Sequence, residues 1–158
     1  MISRARDYIY ITTPYLIVDV ATNTALCNAA KAGVDVRIIT PHIPDKRSVF
    51  EVTKAHYPPL LEAGVKIYEY TPGFIHAKQC VCDGETAVVG TINLDYRSLY
   101  LHFENGVFLY DCEAIKDIKA DFDGLFPICQ EVTEEYRSGR SAVLRIGQCI
   151  LRLAAPLL

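Results

Sequence analysis

Apolar and polar residues alternate through "DYIYITTPYL", and alternation this dense in Tyr, Ile and Thr predicts an interior β-strand over Asp7–Thr12. The spacing then turns helical in "ATNTALCNAAKAG", which ends on Gly33, the residue type that most readily closes a helix. "VDVRIITP" reads as a buried strand. From Ser48 to Ala63 the pattern is helical at both ends, is broken by Pro58 and Pro59, and closes at Gly64. "VKIYEY" and "FIHAKQCVCD" are two further strands, and Asp83-Gly84 is a hairpin turn leading into "TAVVGTI". "NGVFLYD" supplies one more strand and "EAIKDIKADFDGLF" an amphipathic helix. Strands alternating with helices, with one internal hairpin, predict an α/β fold: a mixed sheet flanked by helices in α-β-α layers.

A chain of 158 residues, 51% apolar and 22% charged, has the size and composition of one folded domain. Its formal charge of −3 gives no general attraction to nucleic acid, which argues against a dedicated DNA or RNA binder while leaving room for a local basic pocket. The six cysteines are scattered, with no signal peptide ahead of them, and read as reduced thiols of a cytosolic compartment. Cys80 and Cys82 have no second pair to complete a zinc site and read as two same-face strand cysteines. The abrupt opening on a strand gives the impression of a domain whose front is cut away. Two parts are expected: a domain over residues 1–136 and an amphipathic basic helix over 137–158. In that helix Ser141, Arg145, Gln148 and Arg152 share one stripe among Val, Leu and Ile. Such a helix suits a membrane surface, or equally packing on its own domain or on another half. Its two arginines argue against a bilayer span.

The chemistry concentrates in "FIHAKQCVCDGETAVVGTIN". Side chains two apart on a strand share a face, so His76 and Lys78 are expected to point together. An ammonium holds a phosphate oxygen, while a neutral imidazole attacks phosphorus or accepts a proton near neutral pH. Beyond the turn, Gly90 permits a close backbone approach, and Thr91 and Asn93 offer a hydroxyl and an amide on one face. Two adjacent strands carrying His, Lys, Thr and Asn would meet one oxyanion, with no metal or cofactor required.

His76, Lys78 and Asp83 form the H-x-K-x4-D pattern, and "GTIN" follows as G-[ST]-x-N. In this and in "AAKAGVDVRIITP", "LLEAGVKIYEYTPGFIHAK" and "VVGTINLDYRSLYLHFENGVFLYD", nearly the whole chain resembles the C-terminal catalytic half of bacterial cardiolipin synthases of the phospholipase D superfamily. The resemblance implies a phosphatidyltransferase that joins two phosphatidylglycerols and releases glycerol through a phosphohistidine. It implies work on an anionic membrane surface, at the cytoplasmic face of the bacterial cell membrane. His76 would be one of two catalytic histidines, as nucleophile or as acid. Lys78 and Asn93, with Thr91, would hold the phosphate. Glu104 stands where the family places an acid that hydrogen-bonds the catalytic imidazole. Asp83 matches the motif aspartate and, as the first residue of the turn, is read as holding that turn and neighbouring groups. His42, His56 and His102 lack the motif. The resemblance therefore implies a second motif-bearing half, either a missing N-terminal half or a second copy of the chain. Alternatives within reach are a phospholipase or nuclease of the same superfamily, with water as acceptor, and a non-catalytic lipid-binding half.

Overall fold

In the computed structural model, which describes residues 1–137, the strands are β1 (Tyr8–Thr12), β2 (Asp35–Pro41), β3 (Lys66–Tyr70), β4 (Gln79–Cys82), β5 (Thr86–Gly90), β6 (Gly106–Tyr110) and β7 (Cys129–Glu131). They form one sheet in the order β6-β5-β4-β1-β2-β3-β7, with β1 at its centre. β1, β2 and β3 run parallel, while β4, β5, β6 and β7 each pair antiparallel. The helices are α1 (Val20–Lys31), α2 (Arg47–Glu62), α3 (Ala114–Leu125) and the short α4 (Thr133–Arg137). The expected α-β-α layering is what forms. The expected terminal helix over 137–158 lies almost wholly outside the described residues.

The period-2 pattern of the strands decides the layers. Ile9 and Ile11 of β1, with Val36 and Ile38 of β2, turn toward α1 and α2 and pack against Leu26, Tyr57, Leu60 and Leu61. Tyr10, Ile39 and Tyr68 turn the other way, toward Ile115 and Phe122 of α3. Gly33 and Gly64, with φ of +96° and +100°, end the two βα crossovers in the left-handed conformation.

Pro58 and Pro59 do not break α2, which runs through them as one helix. Each proline removes a backbone donor, and that cost is offset by burial: Tyr57, Leu60 and Leu61 beside them are almost fully buried. A second difference concerns "FIHAKQCVCD", where only Gln79–Cys82 is strand and residues 76–78 form an irregular segment entering it. β7 and the π-helical turn Arg97–Leu101 are additions to the expected elements.

Candidate active site

Antiparallel pairing of β4 with β5 sets Gln79 opposite Val89, so the residues entering β4 lie beside those leaving β5. The Gly90 amide donates to the Lys78 carbonyl at 3.1 Å and locks the two ends together. His76, Lys78, Thr91 and Asn93 accordingly line one open cleft of about 460 Å³. The loop after β1 fixes its floor: Leu94 N donates to Thr13 Oγ1 at 3.1 Å, and Ile17 N to the Leu94 carbonyl at 2.8 Å.

Within the cleft the groups differ in how firmly they are held. Lys78 Nζ donates to the His76 carbonyl at 2.7 Å, which tethers the segment carrying the imidazole. Burial pulls the Lys78 pKa below its ordinary value, while the carboxylates of Glu104 and Asp95 oppose that pull. The His76 ring is exposed and has the Phe74 ring 5.6 Å from its centroid, with no hydrogen bond to it among the described residues. Asn93 Oδ1 is buried with no hydrogen-bond partner among the described residues, an acceptor left unsatisfied at the base of the cleft-lining segment.

Glu104 has partners other than His76. It accepts the Thr91 hydroxyl, which with a hydrogen bond from Ser98 holds its carboxyl below the usual range. His102 Nδ1 stands 3.8 Å from its other oxygen. The Thr91 hydroxyl also accepts from Asn105 N at 3.0 Å, so it joins β5 to β6 as well as facing the cleft.

Asp83 is not in the cleft. It lies at the turn, the opposite end of β4, roughly 16 Å from Lys78 at about 3.3 Å per strand residue. There its carboxylate accepts the amides of Arg6, Asp7 and Tyr8 at 2.8, 3.0 and 2.8 Å.

Gly90 is required by contact with backbone. A Cβ there would sit 2.3 Å from the Asn105 carbonyl oxygen and 2.6 Å from Gly106 Cα. Gly90→Ala is therefore expected to push β6 away and cost about 2 kcal/mol. Urea unfolding checks this, and an unchanged midpoint would mean that β6 yields without loss.

Sequence reasoning did not bring in Asp95, Ser98 or His102. Asp95 and Ser98 follow Asn93 within five residues, Ser98 on the π-helical turn and Asp95 just before it, so proximity to the motif was an available signal. For His102 the only signal was its spacing of two from Glu104.

This fold and cleft define a phospholipase D-like domain. A family model described as "Cardiolipin synthase, PLD-like domain" matches residues 1–126, and the chain belongs to that family. Cardiolipin synthase 2 of Bacillus cereus is 44% identical over all 158 residues, which cover 31% of that protein. A Geobacillus cardiolipin synthase is 43% identical over the whole chain and 32% of its own length. The chain thus spans about a third of the length of these relatives, in their C-terminal part. Among solved structures, Nuc of Salmonella typhimurium, a phospholipase D family member, superposes with a TM-score of 0.73 at 19% identity, covering 87% of this chain and 86% of that one. A Haemophilus influenzae phosphatidylserine synthase gives 0.76 at 14% identity, covering 98% and 42%. At these identities the two structures establish the fold.

Proposed function

We propose that the chain is one half of a phosphatidyltransferase site that makes cardiolipin from two phosphatidylglycerols. The observation that carries this reading is the convergence of His76, Lys78, Thr91 and Asn93 on one cleft. The Lys78 ammonium and the Asn93 amide face a phosphodiester, with the Thr91 hydroxyl at the edge of the same cleft. One histidine attacks phosphorus; the bond to the headgroup glycerol breaks as the P–N bond forms, and a second histidine protonates the departing alkoxide. The glycerol hydroxyl of the second lipid then gives its proton back and displaces the imidazole. His76 is one of these two histidines.

The other comes from a second motif-bearing half, which we take to be the N-terminal part of a longer chain. An exposed apolar surface suits that contact: Leu101, Phe103, Val107 and Phe108 stand out around Glu104 and along the β6 edge. The complete enzyme would work on anionic lipid at the cytoplasmic face of the bacterial membrane. No helix among the described residues is long and apolar enough to cross a membrane.

Mass spectrometry of products from phosphatidylglycerol vesicles tests the reading. The folded chain alone is expected to be inactive, and cardiolipin with free glycerol should form once the remaining part of the protein is supplied. Cardiolipin from the chain alone would mean that two copies pair their histidines. Phosphatidic acid as the sole product would make the protein a hydrolase, and vesicle binding without turnover in the complemented mixture would make this half non-catalytic.

A further inference from the structure

A second, smaller cavity of about 210 Å³ adjoins the cleft and shares Asn93 with it. Three separate segments build it: Tyr15 to Ile17, the start of α2, and Asn93 to His102. Lys46 caps the start of α2, Arg97 opens the π-helical turn and His102 closes that turn, while Asp95 lies beneath them, buried. The side chains of Lys46 and Arg97 make no hydrogen bond or ion pair among the described residues, so two cations face this cavity unspent. Asp95 gives one oxygen to the Ser98 amide at 2.7 Å, and its charge also acts on Lys78 across the boundary between the two cavities. Nearby, Asp45 is occupied by the Tyr15 hydroxyl at 2.6 Å.

Two cations and one buried carboxylate are a poor match for a bare anion. They suit a ligand that carries a phosphate and a hydroxyl together, because cations hold phosphate oxygens and a carboxylate accepts a hydroxyl hydrogen bond. We propose that this cavity is a second subsite, for a glycerophosphate group. Lys46 and Arg97 hold its phosphate, His102 borders it, and Asp95 with Asn93 Oδ1 receives its hydroxyls at the boundary with the cleft. In the transfer reaction, on which this inference rests, the subsite holds the acceptor lipid and presents its hydroxyl toward the phosphorus held in the neighbouring cleft. A cavity of this volume takes a headgroup and leaves the acyl chains outside, as a lipid resting in a membrane requires.

Calorimetric titration of the 158-residue chain with sn-glycerol 3-phosphate tests the assignment, with inorganic phosphate in parallel. Two classes of binding are expected. Lys78→Gln should remove one; Lys46→Gln or Arg97→Gln should weaken the other about tenfold and leave the first in place. Lys46 and Arg97 are exposed and Lys78 is half-buried, and unchanged circular dichroism will confirm that the variants fold. A single class, lost in Lys78→Gln and unmoved by the other two changes, overturns the subsite and leaves the proposed function standing. If Lys78→Gln moves nothing while Arg97→Gln does, the phosphate-holding role of Lys78 fails and the subsite stands. Inorganic phosphate binding the second class as tightly as the ester would overturn the hydroxyl assignment. The source of the group is read from vesicles. Retention by phosphatidylglycerol over phosphatidylcholine vesicles that drops in Arg97→Gln assigns the lipid headgroup, and retention indifferent to Arg97 assigns the free ester.

Discussion

His76→Ala, assayed in a preparation that turns over phosphatidylglycerol, is expected to lower the transfer rate by about 10⁴-fold or more, with almost no change in stability. The size of the rate effect follows from covalent catalysis: without the imidazole no phosphoenzyme forms, or no proton reaches the leaving alkoxide, and the remaining groups only bind. The small stability effect follows from the structure. The ring is exposed, accepts and donates no hydrogen bond among the described residues, and touches one aromatic neighbour. Truncation at such a site stays within about 0.5 kcal/mol. A rate within tenfold of the parent would remove His76 from the chemistry, whereas a large fall in both rate and melting temperature would assign it to structure. Lys78→Gln should behave differently, because its ammonium also ties down the His76 carbonyl at 2.7 Å. Loss of that tether frees the segment carrying the imidazole, so phosphate binding and turnover should both fall.

The difference between these two residues shows what the sequence could convey. That His76 and Lys78 reach one cleft was readable from a spacing of two, although the reason was not the expected shared strand. The irregular segment before β4 delivers both side chains to the cleft, and the register of β4 with β5 brings Thr91 and Asn93 beside them. The helix ends at Gly33 and Gly64 were legible because a positive φ leaves few residue choices. Pro58 and Pro59 misled because local backbone chemistry favours a break, while the burial of Tyr57, Leu60 and Leu61 is a tertiary fact. β7 was invisible: three residues, Cys129 to Glu131, are too few to show a period, and only pairing with β3 makes them a strand. Glu104 was placed near the site by resemblance, but its bond to Thr91 depends on how closely β6 approaches β5 at Gly90, which no pattern of residue types encodes. Convergence of Lys46, Arg97 and His102 is of the same kind.

The motif aspartate should be the opposite of His76: Asp83→Ala is expected to cost about 3 kcal/mol of stability and to leave the intrinsic chemistry nearly untouched. Its carboxylate accepts three successive amides, from Arg6, Asp7 and Tyr8, and so fastens the start of β1 to the β4–β5 turn. These bonds are partly exposed, so each is worth about 1 kcal/mol rather than the larger value of a buried charged bond. Asp83 also holds φ at +53°, which aspartate and asparagine tolerate better than alanine. The pH dependence separates charge from shape. Burial alone would raise the Asp83 pKa, but the three amides outweigh it and hold the carboxyl below its ordinary value of 3.8. A depressed folded-state pKa means that the unfolded chain takes up the proton more readily. The stabilisation is therefore complete above the ordinary carboxylate range and is lost as pH falls through the lower, folded value. Asp83→Asn keeps the left-handed turn and one acceptor oxygen but has no proton to gain. Its unfolding free energy should start lower than the parent's at pH 7 and fall less steeply below pH 4, so that the two curves converge in acid. Parallel curves would show that other carboxylates set the acid limit. A turnover rate that collapses in Asp83→Asn while the protein remains folded would mean that this end of β4 controls the cleft, against the roughly 16 Å that separates them.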